Sequence, residues 1–306
     1  MHPAPSLIVF TVLSGLGLGM LFCIGLGLGE GHLFGWVSVP LALLITGVGG
    51  AASTLHLARP SRAWRAFSQW RSSWLSREAC LMVATVAVFL PFAALWLLAD
   101  LRIAALGWLA ALLAAGTVYA TAMIYAQLAT VPRWSLAPTR GLFLAAALLG
   151  GLLATEFAAR LAGGSAVPTL WLLAALVATA IVFVAWQTAA AGANRRAAGS
   201  DMGTATGLGR LGRISAFEAP HTGSNYLLDE MAFQVGRKRA WQLRSLGAAL
   251  GFGLPLLLTV LAAVMPIGTG FLLLVALVAH AAGMMALRWL FFAEAEHVQA
   301  LYYGLR

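Results

Sequence analysis

The chain is poor in charged residues and in cysteine, and each shortage excludes a class of protein. Of its 306 residues only 9% are charged, whereas a typical soluble domain carries about 25%. A water-exposed surface cannot be built from so few charges, so a soluble globular protein is excluded. The two cysteines, Cys23 and Cys80, lie in or beside apolar runs and form no disulfide framework or metal-binding pair. The sequence also lacks a phosphate-binding loop and a nucleophile–base–acid set, which excludes the enzymes that depend on them.

The chain consists largely of long apolar runs. Hydrophobic residues make up 61% of it, and the runs reach the roughly 20 residues that a membrane span needs. Such runs form helices because irregular backbone cannot face hydrocarbon, and they do not alternate as barrel strands do. The sequence therefore predicts an all-α polytopic membrane protein, a single bundle of eight transmembrane helices. The predicted spans are 5–29, 33–57, 79–99, 103–127, 140–162, 168–190, 245–266 and 268–292.

The basic residues fall on one predicted side of the membrane. Three longer connections, 58–78, 128–139 and 191–244, lie on the same side as both termini, and all Lys and Arg residues except Arg102 and Arg160 fall there. Cytoplasmic loops carry the excess of Lys and Arg, so both termini are predicted on the cytoplasmic side of a bacterial inner membrane. The net charge of +9 then reflects a face toward anionic membrane lipids and requires no nucleic acid.

The connection 58–78 is predicted to be an interfacial segment. Trp64, Phe67 and Trp74 fall near helical spacing with arginines between them, which is typical of a helix lying at headgroup depth. Membrane anchoring alone would explain these rings. It does not explain His56, at the end of the second span, or Glu78, at the start of the third, because ionisable groups at such depth are costly and mark functional sites. A histidine and a carboxylate there could hold a polar headgroup and exchange protons with it.

The connection 191–244 is predicted to be a long cytoplasmic loop with two parts. Residues 192–213 have the composition of a flexible linker, whereas Leu227, Met231 and Val235 repeat every four residues and predict a short amphipathic helix. That helix is either a solvated surface helix or a docking surface for a soluble partner. His280, in the middle of the eighth span, is a possible haem ligand, but no second histidine lies at matching depth.

Several ordered polar strings stand out from the apolar sequence. They are Met1-His2-Pro3, Ser53-Thr54-Leu55-His56-Leu57, Pro60-Ser61-Arg62-Ala63, Trp74-Leu75-Ser76-Arg77-Glu78, Glu218-Ala219-Pro220-His221-Thr222, Asn225-Tyr226-Leu227 and Glu230-Met231-Ala232-Phe233. In these strings and in its plan of eight helices, the chain resembles the membrane anchor subunits of the dimethyl sulfoxide reductase type, the DmsC family. Its character is most similar to the sulfite dehydrogenase anchors of that group.

The resemblance implies a complex of three subunits. The substrate chemistry belongs to a molybdopterin subunit, and a ferredoxin-like subunit with four iron–sulfur clusters carries the electrons. The anchor exchanges electrons with ubiquinone or menaquinone, and no haem is expected in it. The implied quinone-binding residues are His56, Glu78, Arg59, Arg77 and Trp74, and the implied partner-docking residues are Arg62, Arg65, His221, Tyr226 and Glu230.

Within this resemblance, cytoplasmic basic loops favour an anchor for sulfite oxidation, with its soluble partners on the cytoplasmic face. An anchor that oxidises menaquinol for a dimethyl sulfoxide reductase is the alternative in the same family. Two other classes are a haem-b cytochrome anchor and a secondary transporter. The chain itself is not expected to catalyse the substrate half-reaction.

Overall fold

The computed structural model describes residues 4–55, 59–197, 202–215, 217–218, 239–265 and 267–298. Eight helices in these ranges are long and apolar enough to cross a membrane, and the described ranges contain no β-strand. The all-α fold with eight candidate spans is confirmed. The helices are α1 Pro5–Gly25, α2 His32–Thr54, α3 Trp74–Ala99, α4 Ala104–Ala126, α5 Ala137–Leu161, α6 Thr169–Ala197, α7 Ala240–Val264 and α8 Thr269–Ala293.

The helix ends differ from the limits of the apolar runs. The first helix ends at Gly25, ahead of the predicted 29, because Gly27 and Gly29 take positive φ angles of 98° and 80° that end a helix. The third begins at Trp74, ahead of the predicted 79, after Ser73 with extended backbone (φ −106°, ψ 126°). Apolar character set the predicted limits, whereas backbone hydrogen bonding sets the observed ones.

The connection before α3 contains a short 3₁₀ helix, Pro60–Phe67, instead of one continuous interfacial α-helix. Bonds to the third preceding carbonyl close it at both ends, from the Arg62 amide to Arg59 and from the Ser68 amide to Arg65, at 3.0 and 3.1 Å. The rings of Trp64, Phe67 and Trp70 are exposed here. Exposed aromatic rings beside a span are typical of the headgroup layer, and the interfacial position of this segment stays a prediction.

The centre of the bundle is formed by α1 and α5, the two most buried spans. α1 contacts α2, α4, α5 and α8, so one helix joins the first four spans to the last four. The seam between α1 and α5 depends on small residues: a Cβ on Gly19 would collide with the Ala147 carbonyl, and one on Gly151 would collide with the Gly19 backbone. Two helices approach this closely only where side chains are absent.

The end of the bundle at which α8 terminates is closed by a buried charge cluster. Glu294 pairs with Arg133 of the α4–α5 connection at 2.5 Å and with Arg244 near the start of α7, and Arg133 also donates to Gln187 of α6 at 3.0 Å. We call these four residues the Glu294 clasp. Burial lowers the pKa of the Arg133 guanidinium, and the charge of Glu294 opposes this shift. The clasp therefore joins four segments of the chain at one membrane end.

Candidate functional site

Glu78 is a buried carboxylate at the start of α3. Its side chain is packed against α4, only 5% of the residue is exposed, and the hydroxyl of Thr121 donates a hydrogen bond to its Oε1 atom. Thr121 also lies 3.1 Å from the Thr117 carbonyl of its own helix. A carboxylate buried in a membrane helix with a single hydroxyl as its described donor is incompletely solvated, so it is suited to proton exchange.

Trp74 lies one turn before Glu78 on the same face of α3. Its ring meets Tyr119 of α4 edge-on, with centroids 5.9 Å apart, and the Arg77 guanidinium lies 4.3 Å from its centroid. Arg77 donates to the carbonyls of Trp70 and Arg71 at 3.0 and 2.7 Å. Arg77 therefore links the turn before α3 to the first turn of the helix and packs against the Trp74 ring.

The other predicted site residues are spread more widely. Arg59, Arg62 and Arg65 are exposed on or beside the 3₁₀ helix. His56 lies outside the described residues, and so do His221, Tyr226 and Glu230 and the amphipathic helix predicted around them. Among the predicted residues that the structure describes, it brings together Glu78, Trp74 and Arg77, while the three arginines form a separate exposed surface.

Three functional candidates, Thr121, Tyr125 and Arg288, were missed from the sequence. Tyr125 interacts electrostatically with both Glu78 and Arg288, so the three ionisable groups share one region of the interior. Arg288 is only 4% exposed and lies inside the bundle, so it is not one of the loop arginines with which the sequence groups it. A signal was available on α4, where Thr117, Thr121 and Tyr125 repeat every four residues and mark one polar face.

His280 is also buried, but backbone groups engage its ring. Its Nδ1 atom lies 2.8 Å from the Gly251 carbonyl. Gly251 belongs to a π-helical turn, Ala249–Gly253, which interrupts α7 and releases that carbonyl. Nδ1 therefore joins α8 to α7, and Nε2 lies against Gly150 of α5, so His280 packs at the meeting point of three helices.

Comparison with known proteins identifies the family to which this arrangement of helices belongs. The family described as "DMSO reductase anchor subunit (DmsC)" matches residues 1–208. The chain belongs to the DmsC family. It is 32% identical to the C subunit of the sulfite dehydrogenase of Allochromatium vinosum over 99% of both chains. It is also 31% identical to the anaerobic dimethyl sulfoxide reductase chain YnfH of Escherichia coli, over 47% of this chain and 54% of that one. This DmsC-family protein is thus a multi-span membrane anchor of an oxidoreductase, as its polar strings predict.

Proposed function

We propose that this chain is the anchor and quinone-binding subunit of a molybdopterin and iron–sulfur oxidoreductase, and that the complex oxidises sulfite. The similarity to the C subunit of a sulfite dehydrogenase extends over 99% of both chains, whereas the similarity to the dimethyl sulfoxide reductase chain covers about half of each. The partners are a molybdopterin catalytic subunit and a ferredoxin-like subunit with four clusters. Electrons from sulfite reach a cluster near the membrane and convert quinone to quinol.

The buried carboxylate of Glu78 is the observation that carries the quinone site. A quinone supplies two carbonyl oxygens that take up electrons together with protons. Reduction therefore needs a proton-exchanging group at the oxygen, and Glu78 is such a group at one end of the bundle. Trp74 and Tyr119 supply the aromatic surface beside it, 5.9 Å from ring to ring. These residues fit a flat, apolar headgroup with polar edges, of either ubiquinone or menaquinone.

The remaining predicted residues have positioning and docking roles in this proposal. His56, which precedes the connection, is the second polar group at the headgroup. Arg77 holds Trp74 through its bonds to the preceding turn, and Arg59, exposed next to the 3₁₀ helix, is proposed as a further headgroup contact. Arg62 and Arg65 are exposed and can meet a soluble subunit. His221, Tyr226 and Glu230 of the long loop are proposed as the other part of that surface.

We further propose that both termini and the docking surface face the cytoplasm of a bacterium, across its inner membrane. All Lys and Arg residues outside the bundle interior, except Arg102 and Arg160, fall on that side of the eight-helix plan. The soluble partners then assemble without export. Membership of an anchor family also favours this function over a secondary transporter.

The function is tested by Glu78→Gln in the complex purified with its partner subunits. Glutamine keeps the size of the side chain and can still accept from Thr121, but it cannot release a proton. We expect sulfite-dependent quinone reduction to fall by about 10²-fold or more, because general acid–base groups contribute at least that factor. Sulfite oxidation with a soluble artificial acceptor, which bypasses the anchor, should stay at the wild-type rate.

The matched control is Glu30→Gln, which removes an exposed carboxylate from the α1–α2 connection. It should leave both activities unchanged. Full quinone reduction in Glu78→Gln, with the complex intact, would remove Glu78 from the site. Purification of a complex that reduces dimethyl sulfoxide with quinol, and does not oxidise sulfite, would keep the anchor but replace the substrate.

A further inference from the structure

A small chamber of mixed polar and apolar lining lies beside Thr121, the residue that donates to Glu78. It has a volume of about 20 Å³ and is walled by α1, α4, α5 and α8. Thr121 belongs to its lining, and the hydroxyl group of the same residue donates to Glu78. Its remaining polar lining residues are Thr11, Ser14, His280 and Arg288.

The hydroxyl groups of the lining residues already donate their hydrogen bonds to other groups of the protein. Thr11 donates to the Leu7 carbonyl at 2.9 Å and Ser14 donates to the Phe10 carbonyl at 2.6 Å, each within α1. The Thr121 proton goes to Glu78 or to its own helix. A hydroxyl oxygen that donates once still has lone pairs, so these groups present acceptors to the chamber.

Arg288 supplies the opposite hydrogen-bonding character. It is a cation that is only 4% exposed, and its Nε–H has no hydrogen-bond partner within the described part of the chain. No carboxylate of the described ranges forms an ion pair with it. Its guanidinium lies 3.7 Å from the centroid of Phe143, whose ring also lines the chamber. The buried Nε–H of Arg288 therefore lacks an acceptor among the described residues.

This combination of groups selects the occupant. An anion would need several donors, but the hydroxyl groups around the chamber offer acceptors. An apolar molecule would leave the Arg288 donor unsatisfied. Water both donates and accepts hydrogen bonds. A cavity of about 10–15 Å³ holds one water molecule that has two to four polar partners, and the chamber has about 20 Å³.

We propose that the chamber is a built water site, in which ordered water accepts from Arg288 and donates to the Thr121 hydroxyl oxygen. The water couples the buried cation to Glu78 through a single side chain. The functional meaning of this coupling rests on the proposed function, in which Glu78 exchanges protons at the quinone site. The chamber and its lining stand without that assignment.

The direct test is electron cryo-microscopy of the intact complex at a resolution that shows other buried waters. We expect density in the chamber within hydrogen-bonding distance of both Arg288 and the Thr121 hydroxyl group. The same density should be lost in Arg288→Met and kept in Arg288→Lys, which retains a cationic donor. Absence of density in the wild type, while buried waters are visible elsewhere, would overturn the proposal.

A spectroscopic test reports on the coupling to Glu78. In redox-induced infrared difference spectra of the complex, we expect a Glu78 carboxyl band, identified by its loss in Glu78→Gln, to shift in Arg288→Met and in Thr121→Val. Thr46→Val is the matched control, because Thr46 is equally buried but its hydroxyl donates to Ala42 of its own helix.

The outcomes separate this inference from the quinone function. An unchanged Glu78 band in Arg288→Met would refute the coupling even if Glu78→Gln abolishes quinone reduction. Conversely, chamber density together with full quinone reduction in Glu78→Gln would keep the water site and refute the proposed role of Glu78.

Discussion

The Glu294 clasp offers a stability prediction whose magnitude follows from burial. The side chains of Arg133 and Glu294 are 6% and 12% exposed, whereas Arg244 is 34% exposed. Glu294→Gln removes the carboxylate that pairs with Arg133 and leaves this buried cation with only the weaker attraction of Glu296. Breaking a buried ion pair from one side costs about 3–5 kcal/mol. Because glutamine still accepts one hydrogen bond, and the screened Arg244 pair adds at most about 1 kcal/mol, we expect a loss of about 3 kcal/mol.

Reversible unfolding in mixed micelles, followed by tryptophan fluorescence, measures this loss. Two of the eleven tryptophans lie at this end of the bundle: the Arg133 guanidinium is 5.2 Å from the centroid of Trp186, and Trp134 donates to the Phe291 carbonyl at 2.9 Å. Arg133→Met combined with Glu294→Gln should recover much of the stability, since the double variant leaves no unpaired charge of that pair.

Glu30→Gln serves as the control and should cost less than about 1 kcal/mol, because its carboxylate is exposed. A loss below about 1 kcal/mol in Glu294→Gln itself would refute the reasoning. It would mean that water reaches Arg133 and replaces the carboxylate without a large penalty.

Two further predictions concern helix packing and orientation. Gly151→Ala should destabilise the protein by about 1–3 kcal/mol, because the added Cβ overpacks the α1–α5 seam. Gly192→Ala should be neutral or stabilising, because there is open space for its Cβ. Unfolding of the two variants side by side measures the difference in stability. In a background without native cysteines, Ser72→Cys should resist a membrane-impermeant thiol reagent in intact spheroplasts and Glu30→Cys should react; the opposite pattern would reverse the proposed orientation.

The sequence predicts the number of helices well because each span must hide its backbone in hydrocarbon, and long apolar runs report this directly. It predicts helix ends less well. Gly27 and Gly29 end α1 through their backbone angles, and α3 starts in polar sequence at Trp74 because a helix can extend beyond the apolar layer.

In the candidate site, the residue that the sequence predicts correctly is the one whose burial is energetically costly. Glu78 stands out as an ionisable group beside an apolar run, and the structure buries it. Its described donor, Thr121, is 43 residues away in the chain, and Arg288 is farther still. Such pairings depend on which faces of α3, α4 and α8 meet, and composition and periodicity within one helix do not carry that information.

The central position of α1 has a consequence for biogenesis. α1 precedes α2, α4, α5 and α8 in the chain and contacts all four, so its packing surface is complete only after α8 has entered the membrane. Until then, α1 and the hydroxyl-bearing residues Thr11 and Ser14 face lipid or neighbouring proteins in the translocation machinery. The small residues of α1, such as Gly19, then allow the close backbone packing against Ala147 and Gly151 of α5. The packing around α1 is therefore completed by α8, the helix farthest from it in the described sequence.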